Sequence, residues 1–233
     1  MNMPLHTSLR VLPLQNGDRL TRAEFERRYF AMPNVNKAEL IEGEVYMPSP
    51  VSYEFHGEPH IMIATWLANF RAYTPGLRVG DNATVRLDMD NAPQPDVLMF
   101  IDPNYGGRIE LEDGYISGAP ELVAEVSAST VSIDSGKKLA AYRRSNVLEY
   151  IVWRVYDEAI DWFVMRDGYF APLVPDSVGI LKSATFPGLW LDVAAMLRRD
   201  LAAVLAVLNQ GLASPEHAAF VAKLQAAFKP NLA

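Results

Sequence analysis

The chain has 233 residues, half of them hydrophobic and 21% charged, a composition typical of a globular protein with one sizeable core. Its formal net charge of −7 excludes a general nucleic-acid coat protein, because affinity for a polyanion comes mostly from basic residues. The absence of cysteine excludes disulfides and cysteine-ligated metal sites, and no apolar run approaches the roughly 18 residues of a membrane span, so we expect a cytoplasmic protein.

The first third of the chain predicts two helices with a hairpin between them. Residues 21–30 form the first helix, and Thr21 and Glu24 have the spacing of a capping box at its start. Residues 38–47 surround a Glu42-Gly43 centre and predict a β-hairpin. A second helix is predicted over residues 56–73, with a buried face at helical spacing made of Ile61, Ile63, Ala64, Leu67 and Phe70.

The rest of the chain predicts a strand-rich region followed by helices. One helix interrupts the strands, with Asp134 as its N-cap and Tyr142 on its inner face. We expect one α/β (α+β) domain over residues 18–195 and a C-terminal helical extension over residues 196–233, with helices at 192–210 and 214–228. The predicted strands are residues 84–87, 96–101, 108–111, 122–127, 150–153, 160–165 and 169–174.

Two carboxylates occur in apolar segments that predict buried strands. In the segment 122–127, alternation places Glu125 on the face opposite Ala124. A buried charge is costly unless it is paired, hydrogen-bonded or bound to a metal, so Glu125 is a candidate metal ligand, with a structural ion pair as the alternative. Asp96 follows Pro95 at the start of another strand. Two carboxylates together with a substrate phosphate suffice for Mg²⁺.

Further charged residues surround this pair in the predicted fold. Lys138 lies in the first turn of the helix after the Glu125 strand, where it either stabilises developing phosphate charge or is a solvated surface lysine. Glu39 and Glu44 flank the hairpin turn. Glu39 is the better candidate for an additional ligand, and exposed hairpin charge is favoured for Glu44. His56 is an accessory candidate, with a cap or hydrogen-bonding role as its alternative.

Several short segments occur in a consistent order along residues 18–195. They are Glu39-Leu40-Ile41-Glu42-Gly43-Glu44, Met47-Pro48-Ser49-Pro50, His56, Gln94-Pro95-Asp96, Pro120-Glu121-Leu122-Val123-Ala124-Glu125-Val126-Ser127, Asp134 with Lys138 and Tyr142, and Val147-Leu148-Glu149-Tyr150. In this order they resemble the bacterial putative restriction endonuclease family of the PD-(D/E)XK nuclease superfamily. The resemblance implies a restriction-endonuclease-like fold with a mixed central β-sheet flanked by helices.

The resemblance also implies an active site. Asp96 and Glu125 would ligate Mg²⁺ or Mn²⁺, and Glu39 would be a further ligand or position water. Ser127 occupies the usual lysine position of the superfamily, and Lys138 is the matching lysine on the next helix. Ile151 and Arg154 stand where the family commonly has Trp and Asp. The implied activity is metal-dependent hydrolysis of DNA phosphodiester bonds by an endonuclease.

Alternatives and partners remain open in the sequence. A catalytically inactive nuclease-fold module that binds nucleic acid or protein is the alternative that the acidic charge favours. A sugar hydrolase using the two carboxylates ranks last, because neither strand carries an aromatic platform. DNA would bind a local basic strip formed by Lys137, Lys138, Arg143 and Arg144.

Cutting both DNA strands uses two sites related by two-fold symmetry, so we expect a homodimer or higher homo-oligomer. Residues 160–174 carry the aromatic area for such an interface, and the alternative is that the same side chains complete the core. These side chains are Trp162, Phe163, Tyr169 and Phe170.

Overall fold

The computed structural model describes residues 11–47 and 50–230, so Pro48 and Ser49 of the Met47-Pro48-Ser49-Pro50 segment lie outside it. The helices are α1 (Arg22–Phe30), α2 (Glu58–Ala72), α3 (Leu139–Arg144), α4 (Val193–Leu197), α5 (Leu201–Leu212) and α6 (Pro215–Ala227). The strands are β1 (Glu39–Ile41), β2 (Glu44–Tyr46), β3 (Leu77–Asp81), β4 (Val85–Arg86), β5 (Val97–Ile101), β6 (Glu110–Glu112), β7 (Tyr115–Ser117), β8 (Leu122–Ser127), β9 (Glu149–Arg154), β10 (Ala159–Arg166), β11 (Tyr169–Pro172), β12 (Ile180–Lys182) and β13 (Trp190–Asp192).

A six-stranded mixed sheet lies at the centre of the fold, in the order β11-β10-β9-β8-β5-β3. Only β8 and β9 are parallel within it, and the chain crosses between them through the π-helical turn Ile133–Lys138 and α3. Smaller sheets, β1-β2, β12-β13 and β4-β7-β6, surround it. Alternation along β8 places Ala124 in the core cluster beneath α2 and Val123 in the cluster on the opposite face, as predicted.

The Glu42-Gly43 hairpin is confirmed. Both residues have positive φ angles, 53° and 70°, which is the conformation of a tight two-residue turn whose twist matches its strands. The seven predicted strands are present, with shifts of one or two residues at several ends. The sequence did not predict the strands β3, β7, β12 and β13. Three of them are short, and β3 contains Arg78 and Gly80, so only pairing with neighbouring strands defines them.

Three local predictions were wrong. Neither half of the capping box forms: the Thr21 side chain makes no cap hydrogen bond, and the Glu24 side chain binds Arg27 and Arg28. Ile61 is exposed, whereas Ile63, Leu67 and Phe70 lie on the buried face of α2 as predicted. The helix predicted over residues 192–210 is divided into α4 and α5 at Arg199, whose φ of 61° is incompatible with a continuous helix.

The C-terminal helices pack on the same core as the sheet. Val204 and Leu208 of α5 and Phe220 and Leu224 of α6 belong to the hydrophobic cluster that contains the inner face of α2. Gly188 makes this packing close, since a Cβ there would lie 2.7 Å from the Cβ of His217. No helix within residues 11–47 and 50–230 is long and apolar enough to cross a membrane.

Glu149 at the start of β9 binds the loop of residues 183–185 to the central sheet through hydrogen bonds. Its fully buried carboxylate accepts hydrogen bonds from Trp162 Nε1 (2.9 Å), Ser183 Oγ (2.8 Å), and the backbone N–H groups of Ala184 (2.9 Å) and Thr185 (2.7 Å). Burial raises the pKa of this carboxyl group, and the donors around it act in the opposite direction. Glu149 is therefore a structural carboxylate.

Replacing Glu149 with glutamine is expected to lower the free energy of unfolding by about 2 kcal/mol, because the amide nitrogen would face donors that have no other acceptor. Urea unfolding measures the change. The exposed Glu110 of β6 provides the control, and Glu110→Gln should change stability by less than about 0.5 kcal/mol. Equal effects of the two substitutions would contradict the assignment.

Candidate active site

The register of the central sheet brings Asp96 and Glu125 together. Strands β5 and β8 are antiparallel with Val97 opposite Ala124, so the next pair along the ladder is Asp96 and Glu125. The N–H of Asp96 lies 3.4 Å from Glu125 Oε2, and the N–H of Val126 donates to Asp96 Oδ2 at 2.8 Å. Both carboxylates are buried, with 3% and 2% of their residue surface exposed.

Lys138 lies at the centre of a group of carboxylates. Its Nζ is 2.9 Å from Glu125 Oε1, 3.0 Å from Glu39 Oε1 and 3.5 Å from Asp134 Oδ1. The lysine is only 5% exposed, so the interpretation as a solvated surface residue is wrong. The N-cap role predicted for Asp134 is also wrong, because its carboxylate lies inside the π-helical turn and accepts a hydrogen bond from Thr130.

Neighbouring groups fix the orientation of the central residues. Tyr142 of α3 donates its hydroxyl to Glu125 Oε1 at 2.9 Å, and the N–H of Gln94 donates to Glu39 Oε1 at 2.7 Å. The hairpin residue Glu39 thus connects the strand segment before β5 with Lys138. These contacts join four segments that are distant in sequence into one rigid cluster.

The cluster has an excess of negative charge. Among the described residues, the carboxylates of Glu39, Asp96, Glu125 and Asp134 face two ammonium groups, Lys138 and Lys37, whose Nζ is 3.5 Å from Asp96 Oδ1. This leaves a formal excess of two negative charges when all four carboxyl groups are ionised and His56 is neutral. A divalent cation would neutralise that excess, so the donor set fits a bound metal ion.

The pKa values of the cluster follow from burial and from this imbalance. Burial, opposed by Lys138 and assisted by the neighbouring carboxylates, raises the pKa of Glu125 to about 8. Burial would also raise the pKa of Asp96, but His56, Lys37 and the N–H of Val126 outweigh it and hold this pKa below its usual range. The pKa of Lys138 is raised well above its usual value, against the effect of burial, since three carboxylates surround the ammonium group.

The cluster forms one wall of a cavity of about 260 Å³. Glu39, Asp96, Glu125 and Lys138 line it, together with His56 from the π-helical turn Tyr53–Gly57. The His56 Nε2 lies 3.3 Å from Asp96 Oδ2, so this histidine belongs to the site rather than acting as a helix cap. Buried carboxylates beside a cavity can hold a cation and orient a substrate there.

Glu44 lies apart from this group. Its carboxylate is paired with Lys137 at 2.9 Å and Arg19 at 3.3 Å, as expected for hairpin charge at the surface. Three of the four basic residues that were expected to form a strip are engaged as well. Lys138 is buried, Lys137 binds Glu44, and Arg144 binds Glu42 of the same hairpin. Arg143 lies over the ring of Tyr169, 5.7 Å from its centre, so a continuous free basic strip is not present at these positions.

The aromatic side chains of the β10–β11 hairpin have different roles. Trp162 is buried and makes an edge-to-face contact with Trp66 of α2, with ring centres 5.6 Å apart, so it completes the core. Phe163 and Phe170 are half-buried against the second core cluster, while Tyr169 is 67% exposed. An oligomer interface at this hairpin stays a prediction.

Two side chains near Asp96 were missed by sequence reasoning. They are Lys37 and His60. One nitrogen of His60 lies within 4.8 Å of ligand atoms of His56 and Asp96. The spacing of four residues between the two histidines was a usable signal, since such residues share a helix face. Lys37 had no comparable signal, because nothing in its local sequence relates it to Asp96.

Comparisons with known proteins identify the family and agree with this fold. The sequence matches the Uma2 family, described as putative restriction endonuclease, over residues 22–194, and the chain belongs to that family. A crystal structure of a putative nuclease belonging to DUF820 from Anabaena variabilis is similar, with a TM-score of 0.57 and 14% sequence identity. The match covers 74% of this chain and 97% of that chain. The fold is that of restriction-endonuclease-like nucleases. No curated protein matches the sequence.

Proposed function

We propose that the protein is a divalent-metal-dependent endonuclease that hydrolyses phosphodiester bonds of DNA. The observation that carries the proposal is the buried group of Asp96, Glu125, Glu39 and Lys138 at the wall of a cavity. Membership in the restriction endonuclease family supports the same reaction class. The excess negative charge of the group supports a cation, Mg²⁺ or Mn²⁺, with Asp96 and Glu125 as ligands.

Each residue has a role that its contacts support. Asp96 and Glu125 present carboxylate oxygens on one face of the sheet, and Tyr142 holds Glu125 in place. Lys138, kept charged by its carboxylate partners, stabilises negative charge that develops on the phosphate. Glu39 positions Lys138 through the 3.0 Å contact. A bound divalent cation would supply charge neutralisation of the phosphate and a nucleophile at neutral pH.

Replacement of Glu125 by glutamine is expected to reduce cleavage by about 1,000-fold or more, because it removes a charged ligand while keeping the shape of the side chain. The measurement is the rate of nicking and linearisation of supercoiled plasmid DNA with Mg²⁺ or Mn²⁺. Thermal unfolding of the same sample verifies that the variant is folded.

Glu110→Gln serves as the matched control, since this exposed glutamate of β6 is not among the cavity-lining residues. It should cut DNA at the wild-type rate. A Glu125→Gln variant that cuts as fast as the wild type would show that the active site has been assigned to the wrong residues.

A module without catalytic activity is the second candidate. The observation that favours it is the neutralisation of Lys137 and Arg144 by the hairpin carboxylates, which leaves little free positive charge beside the cavity for a DNA duplex. The cleavage assay separates the two candidates. Wild-type protein that binds DNA or a protein partner but cuts no duplex, single-stranded or branched DNA with either metal would support the module.

A further inference from the structure

His56 and His60 form a pair on one face at the entrance to α2. His56 belongs to the π-helical turn Tyr53–Gly57, and His60 to the first turn of α2. Their ring centres are 5.6 Å apart and the ring planes are inclined by 76°. Both side chains are half-buried, with 21% and 15% of the side-chain surface exposed, so solutes can reach them.

These histidines converge on Asp96. One ring nitrogen of each histidine and one carboxylate oxygen of Asp96 all lie within 4.8 Å of one another. The distance of 3.3 Å between His56 Nε2 and Asp96 Oδ2 is long for a charge-assisted hydrogen bond, which is usually about 2.7–2.9 Å. Two ligands of one tetrahedral ion, each at about 2.0–2.1 Å from it, lie about 3.3–3.4 Å apart. The spacing therefore suits two ligands of a shared ion.

His60 also contacts a carboxylate outside this group. His60 Nε2 lies 2.6 Å from Asp81 Oδ1, at the end of β3. In the tautomer that donates Nε2–H to this carboxylate, Nδ1 carries the lone pair that a metal requires. Histidines that bind metals usually donate their other N–H to a carboxylate or a carbonyl group, which fixes the tautomer and orients the ring.

We propose that His56, His60 and Asp96 form a binding site for a transition-metal ion with affinity for imidazole, such as Zn²⁺ or Co²⁺. The proposal rests on the proposed function for the role of Asp96 as a ligand, and it names the class of cation that Asp96 takes together with the two histidines. Two of the three donors are nitrogen atoms, which suit Zn²⁺ and Co²⁺, whereas Mg²⁺ prefers oxygen ligands and retains its waters.

The experiment uses Co²⁺ as the probe, because its visible absorption spectrum reports directly on nitrogen ligation. Full-length wild type, His60→Ala and Asp81→Asn are titrated with Co²⁺, with and without millimolar Mg²⁺, and calorimetry with Zn²⁺ gives the affinities. We expect the wild type to bind one Co²⁺ ion that millimolar Mg²⁺ does not displace. His60→Ala should bind about 100-fold more weakly, and Asp81→Asn about 10-fold more weakly.

The outcomes separate this inference from the proposed nuclease activity. Wild-type protein without a Co²⁺ spectrum, or His60→Ala with unchanged affinity, overturns the histidine site even if DNA is cut with Mg²⁺. Binding that depends on His60 supports it, even if no DNA substrate is cut. His60→Gln, which preserves more side-chain volume, repeats the test if His60→Ala does not fold.

Discussion

Replacing Lys138 with methionine is expected to lower the free energy of unfolding at neutral pH by about 3–5 kcal/mol. Lys138 is the central cation among Glu125, Glu39 and Asp134, and methionine has a similar volume but no charge. Removing the ammonium group leaves these carboxylates next to one another in a site from which water is largely excluded. Urea unfolding of the metal-free protein, monitored by tryptophan fluorescence, measures the loss.

The adjacent lysine is the matched control. Lys137 pairs with Glu44 at the surface, with 44% of its side chain exposed, so Lys137→Met should cost less than about 1 kcal/mol. If both methionine variants lost the same small amount of stability, the buried carboxylates would not depend on Lys138 for neutralisation.

The metal-free protein is expected to lose stability between about pH 4.5 and pH 8 because of Glu125. Burial raises the pKa of this carboxyl group from 4.5 to about 8 in the folded chain. A group whose pKa is raised by folding contributes stability that is complete below the unfolded pKa and lost as the pH rises through the folded pKa. The shift corresponds to a contribution on the order of 3–5 kcal/mol.

Glu125→Gln isolates this contribution, because glutamine does not titrate. With a chelator present, the free energy of unfolding of the variant minus that of the wild type should increase by the same 3–5 kcal/mol from the acidic to the alkaline end of the range. For Glu110→Gln the difference should not change with pH. A difference for Glu125→Gln that is equal at both ends would show that Glu125 is ionised throughout.

The sequence predicted that Asp96 and Glu125 lie together, because their positions depend on strand alternation. A charged residue within an apolar strand is buried and needs a partner. The antiparallel register of β5 and β8 pairs Asp96 with Glu125 once both strands belong to one sheet. The parallel crossover from β8 to β9 then carries Lys138 back over the same face. Resemblance to the family identified this lysine more firmly than its helix position did.

Local sequence patterns could not predict the contacts between segments that are distant in sequence. The meeting of Lys37 with Asp96 depends on how the hairpin packs on the sheet, and the burial of Asp134 depends on a π-helical turn where a regular helix with an N-cap was predicted. The division of the C-terminal helix at Arg199 has a similar origin. There, Asp192 and Asp200 each cap a separate helix, and alanine and leucine spacing alone does not show which aspartate begins a new one.

The cluster around Lys138 can assemble only when most of the fold is complete. Its members come from the hairpin, the start of β5, the middle of β8 and the turn before α3, and a chain that has emerged from the ribosome only as far as β7 has neither Glu125 nor Lys138. The contact between Glu39 and Lys138 is also non-local, and it carries the loop-closure cost of a long chain segment. Under the proposed function, a nascent or partly unfolded chain lacks the assembled site and would not cut DNA.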